Sequence, residues 1–182
     1  MMTGRLSKSK GRALLVLAWA LPMMLLLLIA AVEVSRVIKV TNSLVQFTRE
    51  AGNLTARGIE VNRSLATAIA ATAPTLRDAN KQQWKVIYSQ IREPLGKSCS
   101  AKPCSYQVDS QVEAGGLNLP STVGVVKKPL MISGIGSVEP NQVFHSIEVY
   151  YDYRPELLGV VGKIIDLKFY ERTVYTNLAA IH

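Results

Sequence analysis

The hydrophobic pattern of this chain begins with one long apolar run. Residues Ala13 to Val32 form twenty consecutive positions without a charged side chain. A helix of about 20 residues is roughly 30 Å long, which matches the hydrocarbon core of a bilayer. The run therefore predicts a transmembrane helix over residues 13–32.

An amphipathic stripe follows the apolar run. Its apolar positions recur at spacings of three and four, which is typical of one face of a helix. The stripe consists of Val37, Val40, Leu44, Phe47, Ala51 and Leu54. We expect a stalk helix over 33–73 that ends before Pro74, whose ring disfavours helix at the preceding residue. Periodicity does not identify what covers the stripe, so the chain's own sheet and other subunits are both open alternatives.

The pattern changes in the second half of the chain. Residues 75–92 keep a helical spacing of apolar positions, and Pro94 and Gly96 follow, which predicts a second helix. From Ser105 onward the period is two, which is typical of half-buried strands. The strands are predicted over 106–113, 130–138, 143–153 and 164–175. Helices followed by strands predict an α+β domain with a small antiparallel sheet over 74–182.

Charge gives the apolar run an orientation. Four basic residues precede it and no acidic residue occurs before Glu33; the four are Arg5, Lys8, Lys10 and Arg12. Basic residues favour the cytoplasmic side of a membrane, so residues 1–12 are predicted to be cytoplasmic and the rest extracytoplasmic. A secretory signal peptide cut near Ala30 and Ala31 is the alternative. Pro22 lies inside the span, where it either kinks the helix or is accommodated without a kink; both interpretations are open.

Overall charge excludes one class of partner. The chain has 21 basic and 13 acidic residues, for a net charge of +8. Without the four basic residues of the N-terminus, 17 basic residues remain against 13 acidic ones, and they are not clustered. We therefore expect no nucleic-acid partner. The roughly 150 residues outside the membrane suffice for one modest domain.

Two cysteines, Cys99 and Cys104, enclose four residues. In an oxidising compartment such as the periplasm, two nearby cysteines without further ligands most simply form a disulfide. Closing so small a loop would stabilise the fold by about 2 kcal/mol. A redox site and a metal half-site are the alternatives, although the spacing and the additional ligands that they need are missing.

Candidate catalytic chemistry is sparse. The two histidines, His145 and His182, have no carboxylate or cysteine at a ligand spacing. The scattered glycines lack the lysine and the strand-to-helix context of phosphate-binding loops. We therefore expect no catalytic residues, no metal site and no cofactor.

Four short segments carry a resemblance to a known family. They are residues 11–22 (GRALLVLAWALP), 33–36 (EVSR), 49–52 (REAG) and 149–158 (VYYDYRPELL). In this order and spacing they resemble the TadE-like proteins, minor pseudopilins of the tight-adherence (Flp, type IVb) pilus system. The likeness covers both ends of the chain and says little about residues 75–140.

The resemblance implies roles for several residues. A prepilin peptidase would cut between Gly11 and Arg12. The membrane anchor would be marked by Ala13, Trp19, Pro22, Val32, Glu33 and Arg36. The fifth residue after the cut is typically glutamate in pseudopilins, whereas here it is Val16. Valine removes the charge pairing that retains a buried carboxylate in the membrane.

The resemblance also implies a function. A TadE-like protein would reside in the inner membrane with a single span and a periplasmic domain, and would help to assemble an adhesive pilus without catalysis. Its partners would be the membrane, other pilin or pseudopilin subunits and platform proteins, in a hetero-oligomer. The stripe would be its interaction face. The competing class is a single-pass anchored periplasmic binding or sensor domain.

Overall fold

The structure, a computed structural model, describes residues 5–57, 59, 62–92, 106–130, 143–155 and 167–176. Three α-helices and a short 3₁₀ turn precede a four-stranded sheet. The helices are α1 (Arg5–Ala56), α2 (Arg63–Thr72) and α3 (Pro74–Asp78), and the turn is Lys81–Gln83. The strands are β1 (Trp84–Arg92), β2 (Gln107–Gly115), β3 (Phe144–Tyr153) and β4 (Leu167–Thr176).

The described residues belong to two compact units. The first contains the part of α1 up to Lys39, and the second contains Val40–Arg154 together with β4. The α+β class that the sequence predicts is confirmed, since a long apolar N-terminal helix is followed by short helices and an antiparallel sheet.

Helix α1 is 52 residues long and continues through Pro22. It ends at Ala56, so the prediction of one stalk helix over 33–73 is wrong at its C-terminal end. Asn62 explains the new start, because its backbone is extended and its side chain accepts a hydrogen bond from the amide of Leu65 at 2.8 Å. This is the geometry of a helix N-cap, which begins α2.

The prediction of a helix over 75–92 is wrong for Trp84–Arg92, which form strand β1. The strand lies between β2 and β3 in the sheet order β2-β1-β3-β4. Apolar residues are buried on both of its faces, with Ile87 on one face and Val86 on the other. A strand buried on both faces does not show the strict alternation that identifies a half-buried strand.

The other strands lie close to their predicted positions. Strands β2, β3 and β4 are confirmed within a few residues. A β-bulge between Gln90 and Ile91 shifts the pairing of β2, so that Val108 pairs with Ile91 while Val112 pairs with Tyr88. The two valines therefore lie on opposite faces of the sheet, although simple alternation predicts one face. Residues 131–138 of the remaining predicted strand lie outside the described part of the chain.

Register assigns the side chains of the sheet to two faces. Tyr88, Ile147 and Thr173 are aligned across β1, β3 and β4, and so share one face. Tyr175 belongs to the same face, which we call the helix face because Tyr175 contacts α1. Ile87, Glu148 and Arg172 are aligned on the opposite face.

Residues 117–130, which we call the strap, follow β2 and cross this second face. The Nζ of Lys85 donates to the carbonyl of Leu119 at 2.8 Å, and the side chain of Gln111 donates to that of Gly124 at 3.4 Å. Val123 of the strap is wholly buried in an apolar cluster with Ile91, Val108 and Phe144. The strap thus covers one face of the sheet, which we call the strap face.

Candidate functional site

The first candidate site is the apolar part of α1. By length and composition, one helix among the described residues, Leu14–Ala56, can cross a membrane. None of the residues of its most apolar window is buried inside the chain. Large apolar side chains here are exposed on all sides of the helix, as Leu17, Trp19 and Leu27 illustrate at 59%, 71% and 70%. Such a surface is stable in lipid and costly in water.

The residues predicted for processing and for the end of the anchor differ in environment. Gly11 and Arg12 are helical and exposed, and a side chain at Gly11 would meet open space. Glu33 is only 6% exposed, and Arg36 is half-buried. Both Glu33 and Arg36 have interaction partners. Val32 remains 46% exposed, so the exposed apolar surface reaches the end of the predicted span.

The second candidate site is the stripe predicted as an interaction face. Four of its members are buried by the chain itself, namely Val40, Leu44, Phe47 and Ala51. The outer members, Val37 and Leu54, are half-buried. This burial favours the first of the two alternatives, in which the stripe packs against other parts of the same chain. A partner that contacted these four residues would have to displace that packing.

Polar groups on the buried side of α1 are satisfied locally. Thr48 and Thr55 are buried, and their hydroxyls donate to the carbonyls of Val45 and Gly52 at 3.0 and 2.8 Å. Such bonds to the helix's own carbonyls let threonine face a packed surface without an unsatisfied hydroxyl. The C-terminal part of α1 can therefore pack against other parts of the chain without leaving these hydroxyls unsatisfied.

At Gly52 the sheet approaches α1 closely. The ring of Tyr175 in β4 lies where a side chain at position 52 would be. The Tyr175 hydroxyl is 3.4 Å from the carbonyl of Arg49 and 3.5 Å from that of Thr48. A glycine inside a helix usually weakens it, but here its missing Cβ admits an aromatic ring. Gly52 belongs to one of the four family-like segments.

The third candidate site is a polar cluster around Glu148 on the strap face. Glu148 is wholly buried in the middle of β3. One carboxylate oxygen accepts from the amide of Thr122 at 2.9 Å, and the other accepts from the hydroxyl of Ser121. The hydroxyls of Tyr170 and Tyr150 lie 3.1 and 3.2 Å from the first oxygen.

The Glu148 cluster is held by neutral donors. Among the described residues, no lysine, arginine or histidine forms an ion pair with this carboxylate. Burial raises the pKa of Tyr150, and the charge of Glu148 raises it further. Burial likewise raises the pKa of Tyr170. Both phenols therefore stay protonated and neutral near pH 7, so that each retains a hydroxyl hydrogen.

Several donors share one oxygen of this buried carboxylate and Ser121 binds the other, which leaves little capacity to remove a proton from a substrate. Its two strap partners, Ser121 and Thr122, are 27 and 26 residues away in sequence. The cluster therefore fastens the strap to the sheet. We interpret Glu148 as a structural residue rather than a catalytic one.

His145 lies on the helix face and is 6% exposed. Its Nδ1 shares a hydrogen bond with the hydroxyl of Tyr88, and the two rings stack with centroids 5.7 Å apart. Burial lowers the pKa of His145, so the ring is neutral near pH 7. His182 lies outside the described part of the chain. The described histidine is a core residue next to a phenol.

A shallow cavity of about 350 Å³ occurs where α2 meets the end of β2. Arg63 and Glu113 line it, but Glu113 already pairs with Lys85 at 2.9 Å. Arg63 Nε donates to the carbonyl of Glu113 at 3.2 Å. Within the described residues, no group of three or more His, Cys, Asp or Glu side chains is placed to bind a metal.

The comparisons with known proteins add no relative. No protein-family model, no curated protein and no solved structure matches this chain. The predicted disulfide between Cys99 and Cys104 lies outside the described residues.

Sequence reasoning missed the Glu148 cluster and the role of Gly52. Glu148 had one signal in the sequence, since it is an acidic residue between Ile147 and Val149 in a strongly apolar strand. No sequence signal indicated the aromatic partner of Gly52.

Proposed function

We propose that this protein is a membrane-anchored component that helps to assemble a tight-adherence (Flp, type IVb) pilus, in the manner of a minor pseudopilin. One observation carries the proposal. A single uninterrupted helix, Arg5–Ala56, presents apolar side chains on all sides in its first part and a buried face in its last part. The four family-like segments, at both ends of the chain, support the same assignment.

The proposed partner contact lies in the bilayer. Because the stripe residues Leu44 and Phe47 are already buried, the exposed apolar surface of 14–32 is the better surface for neighbouring pilin helices. Small residues allow close approach of membrane helices. The span contains them at Ala18, Ala20, Ala30 and Ala31. In this proposal the sheet domain meets other subunits outside the membrane, without catalysis.

Replacing the span tests this assignment. In the strain that carries this chain, residues 13–32 are exchanged for a polyleucine helix of equal length. We expect membrane association to persist and pilus assembly to be lost, because leucine anchors the chain but removes the small residues. Intact pili in this variant would contradict the proposal. Crosslinking of membranes provides a second readout, in which pilin and platform proteins should be the main neighbours.

Processing is tested separately. Gly11 and Arg12 are exposed, which leaves this bond accessible to a peptidase. Mass spectrometry of the protein purified from membranes should show loss of the first eleven residues. An intact Met1 would indicate an uncleaved anchor, which leaves the assembly role testable by the span exchange.

The competing proposal is an anchored binding or sensor domain. It is favoured by the cavity beside Arg63 and Glu113, which is of the size of small-ligand sites. A metabolite screen that follows the thermal unfolding of the full chain is its test. A ligand whose effect disappears in Arg63→Ala, together with normal pili after the span exchange, would favour this class.

A further inference from the structure

Strand β4 is an open edge of the sheet. It pairs with β3 over its full length, and no other described strand pairs with it. None of its ten residues is buried, and Leu167, Tyr170 and Val174 are 37%, 43% and 37% exposed. An edge strand presents unpaired backbone donors and acceptors that can pair with another extended chain.

The opposite edge is treated differently. There, Gln107 and Val108 of β2 form isolated bridges with Pro129 and Val126 of the strap. The amide of Lys127 donates to the carbonyl of Val108 at 2.7 Å. The bulge next to this point also disrupts the regular edge. Coverage and bulges are two ways in which proteins block edge pairing, and β4 shows neither among the described residues.

The composition of β4 suits strand addition. It contains no proline and no glycine, so every residue has a backbone amide and a side chain. On the strap face, basic and apolar residues alternate along the strand: Lys168, Tyr170, Arg172 and Val174. A complementary strand would place an acidic side chain opposite Arg172 and apolar side chains opposite Tyr170 and Val174.

A second copy of this chain fits the edge poorly when most of the strand is paired. In a two-fold antiparallel pair, opposite residues share a face, so one residue lies directly opposite its own copy at the symmetry axis. The two registers that pair nine residues are centred on Glu171, pairing 167–175, and on Arg172, pairing 168–176. The first places glutamate opposite glutamate and the second arginine opposite arginine, so the two longest registers are both unfavourable.

We infer that the outer edge of β4 binds an extended segment of another protein by strand addition, with an acidic residue opposite Arg172 flanked by apolar residues opposite Tyr170 and Val174. The backbone supplies affinity and the alternate side chains supply specificity. The inference does not require the pilus assignment, since an open edge serves any anchored domain.

Peptide binding to the full chain in lipid nanodiscs tests the inference. The probe is a fluorescent heptapeptide with threonine at odd positions and valine, glutamate and valine at the even ones. A matched peptide carries lysine in place of the glutamate. The variant is Arg172→Glu, and the control is Arg154→Glu, which changes an exposed arginine outside β4. Near-ultraviolet circular dichroism checks that each variant is folded.

We expect the wild type to prefer the glutamate peptide. Arg172→Glu should weaken its binding about fivefold and favour the lysine peptide, because one cross-strand charge pair becomes repulsive. Arg154→Glu should bind as the wild type does. Binding of neither peptide, or binding that Arg172→Glu leaves unchanged, would overturn the inference. Dimers of the chain, in the absence of peptide binding, would overturn it in favour of a second copy.

Discussion

Two stretches of the same helix behave in opposite ways. Residues 14–32 are almost wholly apolar and exposed on every side, whereas residues 40–55 mix polar and apolar positions and are buried along one face. Leu25 is 55% exposed and Leu44 is 2% exposed. Leucine thus occurs in two environments. In the first stretch lipid would cover it, and in the second the rest of the protein covers it.

The comparison teaches that pattern is more informative than hydrophobicity. A helix that is apolar all round requires an apolar medium, while a helix with one apolar stripe requires one packed surface. If the two stretches act as separate devices, a change in one should leave the other intact. Substitutions confined to one stretch test that independence.

Charge substitutions at Leu44 and Leu25 give the sharpest contrast. Leu44→Asp should lower the free energy of unfolding of the sheet domain by about 4 kcal/mol or more, because packing is lost and a charge is buried. Urea denaturation followed by the fluorescence of buried Trp84, in a Trp19→Phe background, measures this loss.

The matched change, Leu25→Asp, should leave unfolding of the domain unaltered. It should instead weaken membrane insertion by about 2.5–3.5 kcal/mol, as for aspartate near the centre of a span. Membrane fractionation measures the fraction inserted. A normally folded domain in Leu44→Asp, with assembly lost, would show that the stripe is an intermolecular surface after all.

Glycine substitutions test the same contrast at smaller scale. Gly52→Ala should destabilise the domain by about 1–3 kcal/mol, because its Cβ would overlap the ring of Tyr175. In a Tyr175→Ala background the same change should stabilise by up to about 1 kcal/mol, since alanine is the better helix former. Thermal denaturation of the four chains completes a double-mutant cycle.

Gly11→Ala is the control for Gly52→Ala. Nothing lies near a side chain at position 11, so unfolding of the domain should not change. Additive effects of Gly52→Ala and Tyr175→Ala would contradict the contact between β4 and α1.

Glu148→Gln tests the strap. An amide at this position presents its own hydrogens to some of the donors. We therefore expect the free energy of unfolding to fall by about 1–3 kcal/mol. Hydrogen exchange should accelerate at Thr122, whose amide donates to Glu148. Membrane insertion should stay normal. Glu50→Gln, at an exposed position of α1, should cost less than about 0.5 kcal/mol. Equal losses of unfolding free energy in the two variants would contradict the stabilising role of the Glu148 cluster.

The smallest effect concerns alkaline pH. The raised pKa values of Tyr150 and Tyr170 mean that the folded protein holds these protons more tightly than the unfolded chain. The contribution of these two phenols to the free energy of unfolding is complete below pH about 10. It is lost as the pH rises above this value, because the unfolded chain then binds fewer protons than the folded protein. Tyr150→Phe should flatten the decline in unfolding free energy, measured by urea titration from pH 9 upward. An unchanged slope would contradict this.

Much of the fold was readable from local pattern. Strand β3 alternates over its full length, and its prediction needed only the period of two. Strand β1 was mistaken for helix because both of its faces are covered, which removes the alternation. The end of α1 was missed because Asn62 begins a new helix without interrupting the apolar register that continues past it.

The sequence by itself determined that the chain has a span of membrane length and an amphipathic continuation, since both depend on the order of neighbouring residues. Tertiary packing was needed to show that the chain covers its own stripe, that Gly52 admits Tyr175, that neutral donors hold Glu148 and that no other described strand pairs with β4. These features join residues distant in sequence, as Thr48 and Tyr175 are 127 positions apart. Periodicity along one segment carries no information about which distant segment will pack against it.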